Sequence, residues 1–238
     1  MKDDNAGQRP AKPVPSDYDQ SPGRVRLARS VLRRHAMAPD VHELVARRFV
    51  AEGLSRVLDV GCGEGELAHH LPDGAWTGLD NSRTMLDRAP PGGVLGEVTA
   101  LPFPDESFDG VAILYVLYHL PDPRAALAEA FRAMRPGGLI AVAAPSRHDS
   151  PELAHALPKT PLTFDAEVAP DLLGEYFEEV EVERWDAPLV ELPTTQAVRD
   201  YLVGKQVAPV WAQAVAEATE LPLSVTKRGV LLFARKGS

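Results

Sequence analysis

The stretch Val57-Leu58-Asp59-Val60-Gly61-Cys62-Gly63-Glu64-Gly65 joins an apolar strand, an acid near its tip and three alternating glycines. Glycine lacks Cβ and tolerates positive φ, so a chain leaving a buried strand can turn sharply and let a ligand lie against bare backbone. The following residues, Glu66-Leu67-Ala68-His69-His70-Leu71, suit a helix whose first turn offers free N–H groups to an anion. A second acid, Asp80, ends the next short strand twenty-one residues after Asp59. A carboxylate at that tip accepts both hydroxyls of a ribose; its other use is to cap a helix expected over Ser82–Arg88, a role that Asn81 or Ser82 fills equally well. The spacing Gly61-x-Gly63-x-Gly65 departs from the G-x-G-x-x-G of dinucleotide folds and weakens a pyrophosphate reading, so a nucleotide-linked dehydrogenase is the poorer alternative.

Alternating elements must hold these residues in place. Helices are expected near 24–35 and 39–52, then strands at 56–60, 75–79, 93–97, 109–114 and 138–144 with helices between them. Ala126, Leu127, Ala130, Phe131 and Met134 recur at helical spacing before Pro136-Gly137-Gly138 stops the run. Strands separated by helices imply a parallel sheet with right-handed crossovers. A sixth strand is expected at 179–185 and a seventh at 229–235, separated by an insertion, 187–228, with helices near 195–203 and 209–219. Such a connection suits a lid over the site or a buttress away from it. Residues 1–23, with Pro10, Pro13, Pro15 and Pro22 among polar neighbours, read as a mobile arm. Residues 24–238 then form one domain: a helical part 24–52, a core 53–145, and a cap with the last strands, 146–238.

The strings VLDVGCGEG, WTGLDNS, GEVTALPFPDESFD, VLYHLPDP and RAMRPGGL, which run from Arg56 to about Ala144, resemble the successive motifs of class I S-adenosylmethionine-dependent methyltransferases, especially the small-molecule group called type 11. The resemblance implies an α/β, Rossmann-like seven-stranded, mostly parallel sheet with helices on both faces, here with a helical cap between the last two strands. It implies S-adenosylmethionine as cofactor, S-adenosylhomocysteine as product and no metal. Onto this chain it places Asp59, Gly61, Cys62, Gly63 and Gly65 around the amino-acid part, Asp80 with Asn81 and Met85 around the ribose, and Glu97 and Val98 at the adenine. Glu97 stands where the family has aspartate, one methylene shorter. The backbone at Leu114 and Tyr115 would hold the methionine part, and Tyr18, in Ser16-Asp17-Tyr18-Asp19, would cover the sulfonium by cation–π attraction.

The acceptor is expected above the fourth strand, where Leu114 leads into Tyr115, Tyr118 and His119. His119 is the candidate general base, because imidazole titrates near neutral pH; its alternative is a packing or capping role. Tyr115 and Tyr118 are the other catalytic candidates, as donors or aromatic walls, and Phe164 and Trp211 are candidates for an apolar lining. The net charge of −9, with thirteen acids against three bases over 149–200, disfavours nucleic acid and favours a small-molecule acceptor at oxygen, nitrogen or carbon. Arg24, Arg26, Arg29, Arg33 and Arg34 form a possible basic stripe and keep an RNA or protein acceptor as the alternative. A silent S-adenosylmethionine-binding sensor or partner subunit is the alternative of another class. The lone cysteine, Cys62, makes no internal disulfide, and no apolar run reaches membrane-spanning length, so a cytoplasmic protein with no membrane partner is expected.

Overall fold

Residues 19–157 and 162–237 are described by a computed structural model. The apolar runs bounded by glycine, proline or acids become β1 (Val57–Val60), β2 (Trp76–Asp80), β3 (Gly93–Leu95), β4 (Phe108–Leu114) and β5 (Met134–Pro145), all parallel. An antiparallel pair, β6 (Glu178–Leu192) and β7 (Leu223–Arg235), closes the sheet in the order β3-β2-β1-β4-β5-β7-β6. This is the Rossmann-like, seven-stranded, mostly parallel sheet expected.

Helices cover both faces, because the strands are apolar on both sides. On one face, Leu58, Val111, Ile113 and Val142 pack against α4 (Arg124–Ala133) and α5 (Ala169–Gly174) through Leu127, Ala130 and Leu173. On the other, Val57, Ala112 and Leu139 pack against α2 (Val41–Ala51) through Val45, Ala46 and Phe49. The period of two along β1 puts Asp59 on the α2 side with Val57. Between β2 and β3 lies the short α3 (Arg83–Leu86).

A third cluster lies outside the sheet. Val31 of α1 (Pro22–His35) packs with Val198, Leu202 and Val215 of α6 (Thr195–Gly204) and α7 (Pro209–Glu217). The two backbones approach closely where Gly204 faces Ala28, since a Cβ on Gly204 would lie 2.8 Å from the Ala28 Cβ. The Arg24 guanidinium donates to the Gly204 carbonyl at 3.0 Å.

Four expectations shift. No helix joins β3 to β4, where Pro102 and Pro104 interrupt the chain. The segment after Gly65 forms only a 3₁₀ turn, Leu67–His70, because Pro72 follows too soon for an α-helix to extend. The fourth helix ends at Ala133, and Met134 opens β5 instead; Arg135 precedes Pro136 and is biased towards extended backbone. The last two strands also run further than their most apolar parts, so the inserted segment is 193–222 rather than 187–228. No helix of the described residues is long and apolar enough to cross a membrane.

Gly204→Ala forces backbone apart at the α1–α6 crossing and should destabilise by about 1–3 kcal/mol despite alanine's better helix propensity. Gly23→Ala, whose Cβ meets nothing within 4 Å, should be neutral or mildly stabilising. Urea unfolding of the two variants checks the contrast.

Candidate functional site

The strand order reverses between β1 and β4, where α/β sheets open a crevice at their carboxyl ends. The glycine loop leaves β1 at that point. Gly61, Gly63 and Gly65 all adopt left-handed φ, at 72°, 56° and 79°. A Cβ on Gly61 would lie 2.4 Å from Val116, so the loop is pressed against the exit of β4. Leu79 accepts the N–H groups of Gly61 and Cys62 at 2.7 and 3.0 Å.

Asp80 ties the two neighbouring loops together. Its Oδ2 accepts the Gly63 N–H and its Oδ1 the Ser82 N–H, both at 2.8 Å. Capping of α3 falls to Ser82, whose Oγ accepts from Met85 N–H at 3.2 Å and donates to Asp19 at 2.6 Å. Each Asp80 oxygen keeps a lone pair for a further donor, as a diol requires. Burial raises its carboxyl, and the N–H groups of Ser82 and Gly63 oppose that.

Asp59 is 3% exposed and accepts the Trp76 indole N–H at 3.1 Å. Burial pushes its carboxyl up to about 6 against the opposing pull of His42 and Trp76. Cys62 is buried beside both acids, and desolvation with their charge raises its thiol far above the reactive range, which makes it a packing residue. Asn81 reaches Glu97 at 3.4 Å, whereas Met85 and Val98 are buried. Loop, ribose-side and adenine-side candidates therefore share one edge. Tyr18 lies outside the described residues.

At the tip of β4, Tyr115 has φ 60° and donates its N–H to Ala143 at 3.0 Å, so backbone there offers a carbonyl but no N–H. Its ring packs on the α2 side, while Tyr118 packs on the α4 and α5 side. Desolvation raises the Tyr115 hydroxyl well above its ordinary value, which suits a donor and not a base. Tyr118 and His119 meet with ring centroids 4.5 Å apart, in a segment pinned by the Thr163 hydroxyl donating to the Leu120 carbonyl at 2.7 Å. Phe164 is fully buried in the sheet core and Trp211 is 52% exposed on α7, so neither forms an apolar wall at this edge.

The arginines of α1 contribute more than their sequence context implies. Arg26 bonds Glu64 at 2.9 Å, Arg29 lies 3.8 Å from Glu64, and Arg33 pairs with Glu66. A Cβ on Gly63 would lie 3.0 Å from the Arg29 guanidinium, which therefore overhangs the glycine loop. The spacing 26, 29, 33 marks one helix face, and its partners were visible as the two acids of the loop. A shallow groove lined by Glu43, Ala46, Arg47, Val50, Ala51 and His70 lies behind α2 and holds none of these residues. Among the described residues no cluster of His, Cys, Asp or Glu is arranged to hold a metal ion.

Residues 58–142 match the family model described as "Methyltransferase domain". The central part of this chain, from β1 into β5, is similar to a methyltransferase domain. The chain is 38% identical over 109 residues to a demethylmenaquinone methyltransferase of Roseiflexus castenholzii, a match covering 41% of this chain and 46% of that one. It is 35% identical over 126 residues to a trans-aconitate 2-methyltransferase of Deinococcus radiodurans, covering 49% and 46%. The matches span less than half the length of these relatives. A solved S-adenosylmethionine-dependent methyltransferase of Thermotoga maritima shares the fold with a TM-score of 0.61 at 22% identity, covering 92% of this chain and 98% of that one. The family match thus spans β1 to β5, and the arginine helix and the segment 193–222 lie outside it.

Asp59 makes stability depend on pH. Its folded value of about 6 exceeds the roughly 3.9 of an exposed aspartate, so its contribution is present below about pH 4 and is lost as pH rises through 6. Asp59→Asn removes that dependence. Between pH 4.5 and 7.5 the parent should lose about 2 kcal/mol relative to this variant, measured by urea unfolding without ligand.

Proposed function

We propose that this chain transfers a methyl group from S-adenosylmethionine to a small-molecule acceptor. The observation that carries the reading is Asp80, held between the Gly63 and Ser82 N–H groups over a glycine loop within the family match. The residues fit the cofactor. Gly63 leaves a Cβ-free surface beside the Arg29 guanidinium, buried Asp59 suits an ammonium, and Asp80 keeps acceptor capacity for a diol.

When bound, the sulfonium supplies an electrophilic methyl group. The chain then has to orient the partners and exclude water. Arg29 favours the carboxylate of the amino-acid part and Asp59 its ammonium, while Asp80 with Asn81 and Met85 holds the ribose, and Glu97 and Val98 meet the adenine. Holding two reactants in line is worth roughly 7–11 kcal/mol. His119, at the exit of β4, takes the acceptor's proton in this reading, and Tyr115 and Tyr118 shape the space around it.

The substrates for which these relatives are named, a demethylmenaquinone and trans-aconitate, support a small molecule. The arginine stripe, which pointed towards RNA, is partly engaged: Arg24 with Gly204, Arg26 and Arg29 with Glu64, and Arg33 with Glu66.

Calorimetry with S-adenosylhomocysteine tests the reading, since no heat with folded protein removes it. Because the ligand's ammonium selects ionised Asp59, affinity should rise about tenfold from pH 5 to 7 and become flat in Asp59→Asn. Once an acceptor is found, His119→Ala should lower turnover by ~10²-fold or more; parental turnover would remove the base role.

A further inference from the structure

A polar cluster sits beyond the glycine loop, on the opposite side of Tyr115. The chain after β5 turns at Ser146–Ser150 and is tied to β7, with Ser146 N–H donating to Arg228 at 2.9 Å and Ser150 N–H to Thr226 at 3.0 Å. Asp149 lies in that turn. Its Oδ1 accepts the Arg228 N–H at 2.9 Å, and its Oδ2 accepts from the Ser150 hydroxyl at 3.1 Å, from Lys205 at 3.0 Å and from Lys227. Lys227 also points at the Tyr201 hydroxyl at 3.0 Å and the Ser150 hydroxyl at 3.4 Å, so all three of its N–H donors have acceptors. Lys205 gives one hydrogen bond to Asp149, lies over the Tyr201 ring at 5.8 Å, and is 37% exposed.

Two ammonium groups thus share one carboxylate, in a protein whose net charge is −9. The neighbouring cations do not add to the excess: Arg147 pairs with Asp165 and Arg228 with Asp186, each at 2.8 Å. Asp149 accepts four hydrogen bonds, two of them from ammonium groups, and is therefore a poor base. Burial favours its neutral acid, but Lys205 and Lys227 outweigh burial and hold the carboxyl well below the usual range.

The cluster adjoins the reaction edge. Tyr115 donates to Ala143 of β5, and the Asp149 turn begins directly after that strand at Ser146. The Lys205 ammonium lies within electrostatic reach of Tyr115 and Tyr118. The same roof covers both ends of the crevice. Ala28 of α1 rests on Gly204, next to Lys205, and Arg29 of α1 overhangs Gly63.

We propose that Lys205 is the specificity residue for an acceptor bearing a carboxylate, which it binds at the carboxyl edge of β4 and β5 with Asp149, Lys227 and Tyr201 as its fixed support. This rests on the methyltransferase reading for the role of the ligand as acceptor. Lys205 keeps two donors for the incoming anion, while Asp149 fixes its direction and prevents the pocket from holding two uncompensated charges when empty. A neutral analogue gives the two remaining donors no anionic acceptor and binds more weakly.

The test uses the full chain. Calorimetry with S-adenosylhomocysteine first compares the parent, Lys205→Gln and Lys205→Arg, which should bind it alike. Ligand-observed NMR of the loaded proteins then compares benzoate, trans-cinnamate and glutarate with the corresponding amides. The expected result is carboxylates bound at least about tenfold tighter than amides by the parent, a loss of about tenfold in Lys205→Gln with the amides unchanged, and recovery in Lys205→Arg. Equal binding of carboxylates and amides, unchanged carboxylate affinity in Lys205→Gln, or no carboxylate bound at millimolar concentration overturns the proposal. Should Lys205→Gln not fold, the carboxylate-to-amide ratio of the parent and of Lys205→Arg decides. A parent that binds carboxylates selectively but takes no S-adenosylhomocysteine would overturn the methyltransferase reading and leave the anion site standing.

Discussion

The bond from Gly63 N–H to the Asp80 carboxylate sets the site. In the glycine loop the amides of Gly61, Cys62 and Gly65 meet backbone carbonyls, while that of Gly63 needs a side-chain acceptor, and an unpaired amide near the core is costly. Asp80 answers that need from the neighbouring strand and binds the Ser82 N–H with its other oxygen. The loop after β1 and the loop after β2 are consequently tied together through one side chain. The carboxylate is itself buried by this arrangement, so its charge is poorly solvated and favours any further donor. One side chain thus fixes the shape of the edge and prepares it to accept a ligand.

Around that edge, burial divides the acids by task. Asp59 has one indole donor and is pushed towards neutrality, whereas Asp149 has two ammonium groups and stays ionised. They lie at opposite ends of the crevice. The residues between them, Tyr115, Tyr118 and His119, stand on a short turn that leaves β4 through left-handed backbone. Strain of that kind persists where surrounding structure fixes it, and here the Ala143 carbonyl and Thr163 do so.

Much of the fold was legible because its cues are local. Val57–Val60, Ala112–Leu114 and Leu139–Ala144 are apolar runs punctuated by glycine or acid, and such runs become buried parallel strands. The acids at strand ends were legible for the same reason. The ends of β6 and β7 were not: Asp186–Leu192 mixes charge with Pro188, and that proline is tolerated because β6 is an edge strand whose register shifts beside it. The failure of a helix to form after Gly65 follows from Pro72, which leaves room for one turn. Lys205 and Asp149 were invisible because no spacing joins residues 56 positions apart; only the packing of α6 beside β6 and α1 brings them together. Arg29 had a signal, the shared helix face with Arg26 and Arg33, but its meaning depended on the acids it meets in space.

Helix α1 is fastened differently on its two flanks. Towards the glycine loop its attachments are ionic, Arg26 and Arg29 with Glu64 and Arg33 with Glu66; towards the cap they are close-packed, Ala28 on Gly204 and Val31 among α6 and α7. Added salt screens the first kind, with a Debye length of about 8 Å at physiological strength, and leaves the second intact. Ionic strength is therefore a directional lever on this molecule: it frees the helix from the loop while the helix remains part of the cap.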